Sequence, residues 1–329
     1  MMKVWTVNEP GSRDNLLMEE QSKPIPKEGE LLIEVKAAGV NRTDIMTRQN
    51  SSLTAPYPIL GVEVSGIVVE NNSPDATLKP GTRVAGLVNR GGYAEFVTMP
   101  ANRAIVLPDS LTMVEGAAIP EVFLTAYQTL YWLGELKEKE RVLIHAAGSG
   151  VGTAAIQLAK TLSRATIFAT AGQEKKLNFA KGIGADYLIN YKEESFDDVV
   201  LKQTKDEGVD VILDFVGASY WKRNYASAAL DSRWVLIGTL GGTDVENVSL
   251  TDLMVKRIAL KGTLLTPRSD EYKAQLTKAF EKEAMPFFEK GQLKPIVHSV
   301  VPFSEVNEAH RQMEDNENIG KIIIKVADD

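Results

Sequence analysis

The 329-residue chain predicts an α/β fold in which a doubly wound parallel sheet is inserted into a β-rich domain. Three observations carry this. Short strand-like runs broken by glycine and proline fill the first 120 or so residues; strand and helix patterns then alternate strictly from Arg141; short strands return after Pro267. The boundaries expected are 1–121 for the first segment of the β-rich domain, 122–265 for the α/β domain and 266–329 for the returning segment.

In the first segment the runs Leu31–Val35, Gly66–Glu70, Arg83–Gly86 and Ala94–Val97 read as strands, separated by turns at Pro24, Pro26, Gly29, Gly61, Pro80-Gly81 and Gly91-Gly92. Helical spacing begins at 122–133. Arg141–Ala146 is nearly all apolar, as a parallel strand buried on both faces must be. A helix is expected from about Gly152, with Val151, Ala155, Leu158, Ala159 and Leu162 on one face. Strand 165–170, helix 174–181, strand 186–190, helix 195–205, strand 209–214, helix 221–230 and strand 234–238 follow. Lys256–Leu264 reads as a last strand, 269–290 as a helix and Lys321–Val326 as a terminal strand.

Composition narrows the function. Hydrophobic residues make up 44% and charged residues 25%, enough apolar material for large cores. The net charge of −7 argues against a nucleic-acid binder that relies on broad positive charge. With no cysteine there is no thiolate nucleophile, disulfide frame or cysteine-ligated metal, and the three histidines, His145, His298 and His310, are too few for a histidine-rich metal site. No apolar run approaches the ~18 residues of a membrane span, and the N-terminus lacks a signal-peptide stretch, so a cytoplasmic, non-membrane protein is expected.

The most informative motif is Ala147-Gly148-Ser149-Gly150-Val151-Gly152, set between the buried strand and the amphipathic helix. Glycines there let the backbone approach a pyrophosphate, which the helix N-terminal N–H groups and dipole then hold. A P-loop is excluded because Thr153-Ala154 follows Gly152, and a nucleophile elbow at Ser149 because Ala147 and Val151 flank it. The acid expected near the end of the second strand, where a ribose 2′-hydroxyl would bind, is replaced by Thr170 in Phe168-Ala169-Thr170-Ala171-Gly172. Lys175 and Lys176 follow in the first turn of a helix, where the dipole disfavours cations unless an anion compensates. This pattern favours a 2′-phosphate, hence NADPH over NADH. Val216, in Asp214–Gly217, and Gly238-Thr239 end two later strands, on the side where such sheets bind ligands.

The chain resembles the zinc-free quinone oxidoreductase branch of the medium-chain dehydrogenase/reductase superfamily, most of all its p53-inducible quinone oxidoreductase-like group. The resemblance runs the whole length, through Val40-Asn41-Arg42-Thr43-Asp44, Ile59–Gly66, Ala118-Ile119-Pro120-Glu121, Leu124-Thr125-Ala126, Val142–Ala146 and Asn318–Ile322. It implies a GroES-like domain around a Rossmann domain, and a homodimer. It places the pyrophosphate on Ser149, Gly150, Val151 and Gly152, and the 2′-phosphate near Lys176 and Tyr191, with Gly172 also among the cofactor-binding residues. Thr263, Leu264, Leu265 and Lys321 match positions that close over the cofactor, and Asn41 and Thr125 match the substrate pocket. Zinc-dependent relatives carry a cysteine where this chain has Asn41 and a histidine where it has Val62, so no metal is expected. Relatives also place a pocket tyrosine shortly after an Arg-Gln-Gly string; here Arg48-Gln49-Asn50-Ser51-Ser52-Leu53 lacks it, so either the pocket is wider or Tyr57 takes its place.

The reaction expected is hydride transfer from NADPH to a quinone or another conjugated carbonyl, without metal. Enal or enone double-bond reduction uses the same hydride geometry, and a non-catalytic NADPH-binding protein is the reading of another class. A quinone is electrophilic enough to need no Lewis acid, so no dedicated general acid is expected, and His145 is read as a structural histidine at a strand end. The exposed alternation of Ile258, Leu260 and Leu264 suggests that the dimer forms at this edge.

Overall fold

The computed structural model describes residues 1–328, which divide into two units, Met1–Leu124 with the segment from Leu265 onward, and Thr125–Leu264. In the first unit β1 (Met2–Val7) pairs antiparallel with β2 (Leu16–Gln21). Next come β3 (Glu30–Gly39), α1 (Arg42–Gln49), β4 (Glu63–Asn71), β5 (Arg83–Leu87), β6 (Phe96–Pro100), β7 (Ala104–Val106), α2 (Met113–Gly116) and α3 (Pro120–Tyr127). Along β3, Leu31, Ile33 and Val35 are buried while the residues between them are partly exposed, the period-2 signature of a strand with one face on a core.

The second unit is a six-stranded sheet in which every pairing is parallel, built from β8 (Arg141–Ile144), α4 (Gly150–Ser163), β9 (Thr166–Ala171), α5 (Glu174–Gly182), β10 (Tyr187–Asn190), α6 (Phe196–Thr204), β11 (Val209–Asp214), α7 (Trp221–Ser227), β12 (Ala228–Leu236), α8 (Leu250–Lys256) and β13 (Ala259–Gly262). The order β10-β9-β8-β11-β12-β13 reverses at β8, so the chain leaves β8 at a topological switch point. Three elements differ from the sequence reading, the first being β12, which begins at Ala228 rather than at 234. The helix after β11 stops at Ser227, because Lys256 Nζ donates to the carbonyls of Tyr225 (2.8 Å), Ala226 (3.1 Å) and Ala228 (2.8 Å) and closes its end. Lys256 is itself the last residue of α8, whose start is capped by Ser249 Oγ, and the last strand is only Ala259–Gly262.

The chain returns to the first unit through α9 (Asp270–Glu289), β14 (Val297–Pro302), α10 (Val306–Glu314) and β15 (Lys321–Lys325). The larger sheet of that unit runs β14-β15-β3-β4-β5-β7, with β6 also on β3. Two registers in it position chemistry. β15 pairs antiparallel with β3, Ile323 opposite Gly39, which brings Lys321 to the level of Asn41 just past the strand end. β4 pairs with β3, Ala38 opposite Val64, which brings Glu63 level with Gly39.

Candidate functional site

In the second unit the turn after β8 carries the glycine motif. Ser149 caps α4, its Oγ accepting from Gly152 N–H at 3.0 Å, and the other first-turn N–H groups, Gly150 and Val151, have no acceptor within the helix. A side chain on Gly152 would collide with the Ala146 carbonyl, so this glycine sets how closely the helix meets the strand. The stem of Lys176, from the first turn of α5, lies over Gly148; a Cβ there would sit 2.7 Å from Lys176 Cδ. A Cβ on Gly172 would sit 2.6 Å from the Tyr191 hydroxyl. Thus Lys176 covers Gly148 and Tyr191, which is exposed, covers Gly172, with no acid at the end of β9.

Thr170 is not among these residues. It is fully buried, and its Oγ1 meets His145 Nδ1 at 2.9 Å. The position under Tyr191 is Gly172, two residues later, and it too lacks an acid. His145 Nε2 lies 2.7 Å from Asn224 Oδ1, and Asn224 Nδ2 donates to Asp214 Oδ2 at 3.0 Å. Asp214 also accepts from Val216 N–H (2.8 Å), Gly217 N–H (2.9 Å) and Trp234 Nε1 (3.0 Å). Burial lowers the histidine's proton affinity, so the neutral ring is a link in this buried network. Asp214 thereby holds the Val216 loop, which is zipped to Thr239–Gly242 through Leu240 N–H to Phe215 O and Gly241 N–H to Val216 O, and Gly238 N–H reaches Asp214 O. Thr263 is buried with its N–H on Leu236 O, and Leu264 is exposed; Thr125 is buried in α3.

The first unit holds a buried polar cluster. Lys321 Nζ lies 2.7 Å from Glu63 Oε1, 2.6 Å from Asn41 Oδ1 and 2.7 Å from the Val40 carbonyl. Asn41 Nδ2 donates to the same Glu63 oxygen at 2.8 Å, and Glu121 N–H donates to Glu63 Oε2 at 2.7 Å. Gly39 makes this possible: a side chain there would overlap the Glu63 carboxylate. Asp44 accepts from Asn41 N–H (2.8 Å), Gly61 N–H (3.2 Å) and Tyr93 Oη (3.1 Å). Its burial nevertheless pushes its carboxyl up to about 7. Tyr93 lies 3.4 Å from His310 Nε2, and His310 Nδ1 lies 3.1 Å from Arg48, which pairs with Glu314. Burial, then the Arg48 charge, pushes His310 down to about 3, so it is neutral.

This placement differs from the role the resemblance implies for Lys321. Its three N–H donors are taken inside the first unit, and it is only 2% exposed, so it anchors Asn41 rather than reaching toward a ligand. Both ends of the Asn41 amide are likewise engaged. A zinc ion does not fit this donor set. Val62 has no ligand atom, and the ammonium of Lys321 already neutralises Glu63. Among the described residues no three His, Cys, Asp or Glu side chains are grouped to hold a metal. Tyr57 is half-buried and packs against the apolar core of the first unit; Leu265 is buried in the same unit. Glu63, Asp44 and Glu121 emerge as site residues only here. Their one signal in the sequence was their presence within the family-like strings.

The alcohol dehydrogenase GroES-like domain matches residues 27–109, and the zinc-binding dehydrogenase family matches residues 150–282. The rat synaptic vesicle membrane protein VAT-1 homolog is 30% identical over 318 residues, covering 92% of this chain and 78% of that protein. The chain belongs to the medium-chain dehydrogenase/reductase superfamily. It is therefore a superfamily member whose first unit is the GroES-like domain and whose second carries the Rossmann sheet. Among solved structures, a mycobacterial protein complexed with NADPH superposes with a TM-score of 0.87 at 26% identity, covering 99% of this chain and 100% of that one. A Pseudomonas syringae quinone oxidoreductase gives the same TM-score, identity and coverage. Although one relative is named a membrane protein, no helix among the described residues is long and apolar enough to cross a membrane.

Proposed function

We propose that this oxidoreductase is an NADPH-dependent, metal-independent reductase of the zinc-free quinone oxidoreductase branch, acting on quinones in the cytoplasm. The observation that carries the reading is the placement of Lys176 over Gly148 and of Tyr191 over Gly172 beside the glycine turn, with no acid at the end of β9. The first-turn N–H groups of α4 take the pyrophosphate, and Lys176 with the Tyr191 hydroxyl takes the 2′-phosphate. NADPH, when bound, supplies the hydride. The Val216 and Thr239 loops, braced by Asp214, support the cofactor beyond the strand ends. The similarity to an NADPH complex and to a quinone oxidoreductase supports this reading.

A panel of quinones, enones and enals with NADPH or NADH, followed at the nicotinamide absorbance, tests it. Fast quinone-dependent oxidation of NADPH, slower with NADH, is expected. Preference for enones would reassign the acceptor, and no acceptor-dependent oxidation would favour a non-catalytic NADPH binder.

We further propose a homodimer joined at β13. This strand ends the sheet, Leu260 and Leu264 are exposed, and α8 beside it exposes Leu250, Met254 and Val255. Ile258 takes no part, because it packs against the core of its own unit. Leu260→Asp is expected to convert a dimer into a monomer in sedimentation at micromolar concentration; a wild-type monomer would refute the assignment.

A further inference from the structure

We propose that Tyr220 is a positioning residue for cofactor choice, its ring holding Tyr191 over Gly172 so that the Tyr191 hydroxyl meets the 2′-phosphate of NADPH. The inference rests on the reading above of Lys176 and Tyr191 as the phosphate site, and every group it uses lies in the second unit.

Tyr191 needs such a support. It directly follows β10 and is 39% exposed, and an exposed tyrosine changes rotamer freely unless a neighbour holds it. Its hydroxyl lies against Gly172. Its ring and that of Tyr220 are 6.1 Å apart centre to centre with planes at 71°, the T-shaped arrangement that aromatic pairs favour. Tyr220 is itself firmly held. It closes the 3-10 turn Ala218–Tyr220, its N–H donating to Gly217 O at 2.9 Å. Its ring packs on His145 (4.9 Å, 70°) and Phe196 (4.9 Å, 45°), both fully buried. These anchors are fixed in turn, His145 between Thr170 and Asn224, and Gly217 by the Asp214 carboxylate. A rigid path therefore runs from the buried network to the exposed ring.

The ring of Tyr220 does the holding, not its hydroxyl, which makes no hydrogen bond among the described residues. Burial, then the neighbouring Tyr191, pushes that hydroxyl up to about 12, so it stays uncharged and does not repel a phosphate. The two cofactors separate this role from a general structural one. NADH has no 2′-phosphate, so holding Tyr191 in place benefits NADPH alone. Support of the Val216 loop, which shares the Asp214 network, would instead serve both cofactors.

The experiment titrates the full chain with NADPH and with NADH, followed by fluorescence. Tyr220→Leu, which removes the ring, is expected to weaken NADPH roughly fivefold and to leave NADH nearly unchanged. Tyr220→Phe, which keeps the ring, should restore NADPH affinity to that of the wild type. Tyr191→Phe should weaken NADPH by about tenfold, and adding Tyr220→Leu to it should cost nothing more, because the hydroxyl being positioned is already gone. Tyr220→Met is the deciding variant if Tyr220→Leu does not fold. Wild-type NADPH affinity in the ringless variant, equal losses for both cofactors, or a loss that adds in full to that of Tyr191→Phe would overturn the assignment while the phosphate reading stands. If Tyr191→Phe itself binds NADPH as the wild type does, it is the phosphate reading of that residue that fails, and the assignment falls with it.

Discussion

Lys321→Met is expected to destabilise the first unit by about 3–5 kcal/mol, because it strands a buried charge. Glu63 and Lys321 are 0% and 2% exposed, and the ammonium is the only cation paired with that carboxylate among the described residues. Removing the ammonium leaves Glu63 with the Asn41 amide and the Glu121 N–H alone, neither of which carries a full charge. The thermal transition should fall by on the order of 10 °C in a calorimetric scan. The double variant Lys321→Met with Glu63→Gln should recover much of the loss, since no charge is then left unpaired. A melting temperature unchanged in the single variant would mean that water reaches the Glu63 carboxylate and that the cluster is not sealed.

The second large effect concerns cofactor choice. Lys176→Ala should weaken NADPH binding by tenfold or more and leave NADH nearly unchanged. A charge-assisted contact to a phosphate is typically worth about 1.5–3 kcal/mol, and NADH has no 2′-phosphate to lose it. Because the Lys176 stem also covers Gly148, the comparison must be made with both cofactors by fluorescence titration. Equal losses would show that the side chain supports the turn without reading the phosphate.

Much of this was legible along the chain. Short-range regularities report the second unit well: the apolar run of β8, the glycines that open α4 and the alternation of strands with helices are all local in sequence, and each strand pairs parallel with neighbours from the same stretch. The errors were local as well. Lys256 looked like the start of a strand because the run that follows it is apolar, yet its side chain caps α7 some 28–31 residues earlier. Thr170 replaces the acid expected at the strand end, but the pleat turns this position inward onto His145, and Gly172 is the one that borders the open side.

The sequence by itself determined the βαβ order, the glycine turn with basic residues near it and the absence of thiols, and it places Asn41 and Val62 within the strings that carry the resemblance. Only the tertiary structure decided which side chains surround Asn41. Asn41 and Lys321 are 280 residues apart, and Glu63 and Glu121 are 58 apart. They meet because β15 and β4 flank β3 in registers that bring Lys321 level with Asn41 and Glu63 level with Gly39. A shift of one residue in either strand would turn these side chains to the opposite face. No spacing within the chain encodes that alignment, because it depends on which strands pair and on Gly39 leaving room for a carboxylate.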